Sequence, residues 1–142
     1  MEFHKILVPV GGTEADTETI KLACRLSRRD RAKVLVVNVI SIDRSLPLDA
    51  ELSGEVKKAE TVLEQAEKVA TEMGVAIETD LLQARNVGPS IVDEAVERGI
   101  DLIVMGLTYK RVFGQYTLGD VTPYVLKNAP CPVILYQQSA PE

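Results

Sequence analysis

The sequence predicts an α/β domain built on an open parallel five-stranded sheet, doubly wound, with helices on both faces. Two observations carry that prediction. Short β-branched apolar runs alternate along the chain with longer segments whose apolar residues recur every three or four positions. Most of the short runs are also apolar nearly throughout, as strands covered on both faces must be.

The strand-like runs are HKILVPV (4–10), KVLVVNV (33–39), AIETDLL (76–82), DLIVM (101–105) and PVILYQ (132–137). The third carries Glu78, Thr79 and Asp80, which places it nearer a sheet edge. The first helical segment, 14–29, has Ile20, Ala23, Cys24 and Leu26 at helical spacing, and Thr13 with Asp16 resembles a capping box at its start. The second is the clearest. Leu52, Val56, Ala59, Leu63, Ala66, Val69 and Met73 line one stripe, and Gly74 stands where such a helix stops. A third helix opens on Pro89 and ends before Gly99, and a fourth spans 121–128 and stops ahead of Pro130. Segment 41–54 reads as a loop, and the tail 138–142 as frayed. Strands and helices in strict alternation imply right-handed crossovers. Sheets of this nucleotide-binding-like kind take ligands outside the carboxyl ends of their strands, where the winding reverses.

Composition narrows the function. With 142 residues, 46% apolar and 26% charged, the chain reads as one globular domain, 1–142. A net charge of −5 argues against a nucleic-acid or anionic-membrane surface, which would present a basic patch. The longest apolar run, VLVVNVI, is too short to cross a bilayer, and the first residues lack a secretory leader pattern, so a cytoplasmic location is expected. Cys24 and Cys131 form neither a disulfide framework nor a metal spacing, and no metal is predicted. Cys24 reads as core, Cys131 as buried rather than reactive, and His4 as a strand-edge residue at the amino end of the sheet.

The most informative stretch is GLTYKRVFGQYTLGDV, 106–121. Glycines punctuate it, Lys110 and Arg111 sit early in it, and it leads into a helix whose free N–H groups and dipole attract an anion. The opening KILVPVGGTE, the run DLIVMG and the segment VLKNAPCPVILY together resemble the universal stress protein family, over nearly the whole chain. In nucleotide-binding members of that family a G-x2-G-x9-G-S/T pattern follows the fourth strand, and an Asp lies in the turn after the first. Here Gly106 and Gly119 match the first and third glycines, Tyr109 replaces the second, Asp120 replaces the Ser or Thr, and Gly11 replaces the Asp.

The resemblance implies a stress-response regulatory domain that binds an adenine nucleotide, ATP or AMP. Pro9, Val10, Gly11 and Val39 would line the adenine slot; Gly106, Tyr109, Gly119, Asp120 and Val121 would form the phosphate side. Physical chemistry predicts a weakened phosphate site. Tyr109 hinders close backbone approach. A carboxylate at Asp120 is expected to cap the helix, take its donors and repel polyphosphate. Pro123 removes one further N–H. AMP suffers less from this than ATP. Arg85 and Asn86 follow the third strand on the ligand-bearing side, where capping the next helix is the commoner job. No catalytic set is visible, so the chain is not read as an enzyme, with slow ATP hydrolysis left open. The alternative is a nucleotide-independent interaction module acting on an unknown protein partner. The likeness to regulatory domains of some transporters makes a transporter one such partner, although the chain itself does not enter the membrane. The apolar last strand, 132–137, is expected at a sheet edge, and the family resemblance implies a homodimer through it.

Overall fold

The computed structural model describes residues 1–112, 115–117 and 120–139, and for 108–112, 115–117 and 139 the backbone alone. In chain order the elements are β1 (Lys5–Pro9), α1 (Asp16–Asp30), β2 (Lys33–Ser41), α2 (Ser53–Glu72) and β3 (Glu78–Ala84). There follow α3 (Val87–Glu97), β4 (Leu102–Val112), β5 (Gln115–Thr117), α4 (Val121–Asn128) and β6 (Val133–Ser139). Five strands form the predicted parallel sheet, in the order β3-β2-β1-β4 with β6 on the other flank of β4. As expected, β3 lies at an edge.

One element departs from the sequence reading. The strand expected to stop at Met105 continues to Val112 and turns back as β5, pairing antiparallel with Arg111 opposite Tyr116. Part of the glycine-punctuated stretch 106–121 is therefore paired strand. The cause lies far away in sequence: β6 runs beside β4 from Ile103↔Val133 to Tyr109↔Ser139 and supplies the hydrogen bonds that keep the backbone extended past Gly106.

The central strands divide their side chains between two cores, because successive residues point to opposite faces. Ile6, Val8, Leu102 and Val104 pack with Ile20, Cys24, Leu63 and Val69 under α1 and α2. Leu7, Val37, Ile103 and Met105 pack with Ile91, Ala95 and Val125 under α3 and α4. Ile6, Leu7, Val8, Leu102 and Ile103 are fully buried, and burial of such side chains contributes about 1.5–3 kcal/mol each. The chain leaves β1 over one face and reaches β4 over the other. The crevice that this reversal opens lies at the carboxyl ends of β1 and β4.

Candidate ligand cleft

At that end of the sheet a cleft of ≈ 450 Å³ lies between the starts of α3 and α4, with Ser41, Arg85, Asn86, Gly88, Asp120 and Tyr124 among its walls. The two helices approach closely because Gly88 has no side chain: a Cβ there would meet the Tyr124 ring and Cβ at 3.0–3.1 Å. Both helix starts are uncapped by side chains. Asn86, preceding α3, is extended (φ −130, ψ 132) but accepts no bond through its side chain. Asp120, preceding α4, sits near the helical region (φ −106, ψ −23) and likewise makes no cap bond.

The expected self-capping by Asp120 is therefore corrected. A capping side chain reaches the N2 or N3 amide from an extended backbone, and Asp120 does not have one. The first-turn amides of Val121 and Thr122, which no helix can satisfy internally, are left to other acceptors. Asn86 does not cap α3 either, although its backbone is extended. The Arg85 guanidinium donates to the carbonyls of Asp43 and Leu46 at 2.6 and 2.7 Å and so ties down the loop before α2. Gln83 holds the same loop through Leu48 and Ala50.

The structure distributes the sequence-predicted residues unevenly. Asp120 and Val121 line the cleft. Val39 is half-buried against the α3/α4 core, and Pro9 is half-buried at the end of β1. Val10 is buried and its backbone is engaged: its N–H donates to the Val37 carbonyl at 2.9 Å, and its carbonyl accepts from Asn38 Nδ2 at 2.9 Å. Gly106 faces α1, where a Cβ would run into the Thr19 hydroxyl and lie 3.0 Å from Ala15 Cβ. Its missing side chain serves helix packing. The Tyr109, Lys110 and Arg111 side chains, and Gly119 altogether, lie outside the described residues. Ser41 and Tyr124 escaped the sequence reading. Ser41 joins because β2 runs two residues beyond its apolar stretch, and Tyr124 because Gly88 admits its ring. The Gly88–Pro89 pair at a helix start was the available signal.

The turn after β1 is filled by the protein itself. Gly11, an exposed residue, donates its N–H to Asp16 Oδ1 at 3.5 Å, and Gly12 donates to Asp16 Oδ2 at 2.8 Å. The anticipated capping box does not form: α1 follows Ala15, the Thr13 hydroxyl donates to the Asp16 carboxylate at 3.4 Å and does not take its amide, and that carboxylate reaches back past Thr13 to the two glycines. Burial raises the Asp16 carboxyl above its usual value, against the lowering effect of the Gly12 and Gly11 amides. Cys24 is buried as expected, whereas Cys131, expected to be buried, is only half-buried. His4 is exposed before β1, with its N–H held by Asp101 at 2.8 Å. Burial pushes the thiols of Cys24 and Cys131 upward, away from the reactive thiolate. Among the described residues no cluster of His, Cys, Asp and Glu could hold a metal, and no helix is long and apolar enough to cross a membrane.

These features define a doubly wound α/β domain with a cleft beyond the carboxyl ends of β2 and β3, between the starts of α3 and α4. The chain belongs to the universal stress protein family, whose family model matches residues 2–137. It is 32% identical over 146 residues to a universal stress protein of Methanocaldococcus jannaschii, covering 99% of this chain and 85% of that one. Among solved structures, a universal stress protein from Archaeoglobus fulgidus superposes with a TM-score of 0.78 at 25% identity, covering 94% of this chain and 98% of its own. Another universal stress protein structure from Archaeoglobus fulgidus, in complex with dAMP, superposes with a TM-score of 0.75 at 23% identity, covering 95% and 98%.

Proposed function

We propose that this chain is a regulatory domain that binds an adenine nucleotide at the carboxyl ends of β1 and β4, with a monophosphate preferred to ATP. The observation that carries the reading is the opening of two uncapped helix starts, α3 and α4, into one cleft of ≈ 450 Å³ beside Arg85 and Ser41. Two helix starts without side-chain caps among the described residues, with their aligned dipoles, favour a small anion there. Asp120 stands exposed at the same mouth and disfavours additional phosphates by charge. A protein of the same fold in complex with dAMP supports the ligand class.

The test is calorimetric titration of AMP and ATP into the natural chain and into Asp120→Ser. AMP is expected to bind more tightly than ATP, and Asp120→Ser to tighten ATP by about five- to tenfold, the effect of removing one partly screened charge. If neither nucleotide binds either protein, the reading fails.

A second reading has its own support. The Val10 backbone and the Gly11 and Gly12 amides are all engaged internally, as in a module that needs no ligand. In that reading β6, which pairs only with β4 among the described strands, joins two copies across a two-fold axis and the dimer meets a protein partner. Sedimentation at micromolar concentration would then find a dimer with or without nucleotide; a monomer would count against it.

A further inference from the structure

A second cleft, of ≈ 360 Å³, shares Arg85, Asn86 and Pro89 with the first and continues along α3 beside β3 at the sheet edge. Its chemistry is opposite. Asp93, Glu94 and Glu97 all line it, and Arg85, the only cation among its lining residues, already donates to two loop carbonyls. Asp93 and Glu97 are exposed, whereas Glu94 is only 7% exposed. Among the described residues the Glu94 Oε2 atom is buried without a hydrogen-bond partner.

A buried carboxylate oxygen left unpaired is costly, and native structures rarely leave one without a reason. The neighbouring cation does not meet the need. Arg98 approaches Glu94 Oε1 with its Nε at 3.5 Å, but it also serves Asp80 at 3.3 Å and Glu78 at 3.9 Å. Three carboxylates thus share one half-exposed guanidinium. Around the edge of β3 and the outer face of α3 stand Glu78, Asp80, Asp93, Glu94 and Glu97; Arg85 and Arg98 stand among them, and Lys5 and Lys33 join Glu78 and Arg98 at the starts of β1 and β2, away from Asp93 and Glu97. The missing partner is a hydrogen-bond donor, and the surplus of carboxylates lining this cleft favours a cationic one. The separated carboxylates along α3 call for more than one such charge, and Leu82, Ala84 and Pro89 supply apolar wall for a short hydrocarbon between them.

We propose that this cleft binds a short aliphatic diamine or polyamine, one ammonium group paired with Glu94 and another with Asp93 or Glu97. Ionised donors and acceptors make the strongest hydrogen bonds, and a flexible chain with an ammonium at each end satisfies two carboxylates at once. The site is separate from the nucleotide cleft in charge and in ligand.

The test is calorimetric titration of diaminobutane, butylamine and magnesium chloride into the full chain at matched ionic strength, with amide NMR shifts followed. Diaminobutane is expected to bind saturably, about tenfold more tightly than butylamine. Its shifts should centre on the side-chain amides of Gln83 and Asn86 and on the backbone of 90–97. Glu94→Gln and Asp93→Asn should each weaken it about three- to tenfold. Because Asp93 is exposed, Asp93→Asn keeps the test alive even if Glu94→Gln does not fold. Equal binding of diamine and monoamine, equal shifts with magnesium, or undiminished binding by the double variant Asp93→Asn/Glu97→Gln, both positions being exposed, would overturn the proposal.

Discussion

Two aspartates stand at helix starts at the carboxyl end of the sheet, and they behave in opposite ways. Asp16 opens α1 and folds its carboxylate back onto the amides of Gly12 and Gly11. Asp120 precedes α4 and makes no side-chain cap bond to it. Residue type is the same, and so is the nominal attraction of each helix dipole for negative charge. The difference is backbone geometry. Gly12, at φ +79, bends the turn so that its own N–H points at the Asp16 side chain, a conformation that glycine reaches without strain. Asp120 has no such turn in its favour. Donors at one start are taken up by a side chain of the protein, and the other start has no side-chain cap among the described residues.

That contrast can be broken most forcefully beneath the closed turn. Gly106 packs against Ala15 and Thr19, which begin α1, so Gly106→Ala is expected to lose about 1–3 kcal/mol of unfolding free energy in urea, the usual cost of overfilling a packed core. An unchanged midpoint would mean that α1 does not sit so close to β4. A smaller loss, about 0.5–1.5 kcal/mol, is expected for Asp16→Ala, which removes the acceptor for Gly12. Asp120→Ala should stay within about 0.5 kcal/mol of the natural chain, since no bond is lost. Equal costs for the two aspartates would erase the contrast between the turns.

Acid titration of stability sharpens it further, through the smallest effect. At the far end of α1, Asp30 accepts from Arg29 and from the Phe3 N–H at 2.9 Å, and the Arg29 bond in particular lowers its carboxyl from 3.8 to about 2. Its contribution is present above the unfolded value and is lost as pH falls through the folded one, so stability should decline from about pH 4 towards pH 2. Asp30→Asn should flatten that decline. Asp16 has the opposite sign: with its folded value raised, its contribution is present at lower pH and fades as pH rises through that value. Asp16→Asn should therefore remove a loss of stability on the alkaline side of its titration. If it steepens the acid decline instead, burial does not govern that carboxyl.

Much of the fold was legible in the residues, because burial on both faces leaves nearly unbroken apolar runs and helices leave a stripe. The core face of α2 follows its stripe: Ala59, Leu63, Ala66, Val69 and Ala70 are all buried. The glycine spacing of 106–121 marked the right end of the sheet and the right family. Its chemical reading was less secure. Gly106 looked like a ligand-facing glycine and packs against a helix, because the side of a strand on which a residue falls depends on register. Asp120 looked like a cap, and its dihedrals decided otherwise.

The sequence by itself determined the alternation of strands and helices, the two-sided burial of the sheet and the family, since these follow from local patterns of apolarity and glycine. Only the tertiary structure decided the rest. β4 runs on as a hairpin because β6, thirty residues later, lies beside it. Asp16 fills its turn and Asp120 leaves its helix open because hydrogen bonds depend on direction as well as on the presence of a donor and an acceptor. Glu94 lacks a full partner because Arg98 is shared among carboxylates from β3 and α3, elements that meet only when the chain is folded.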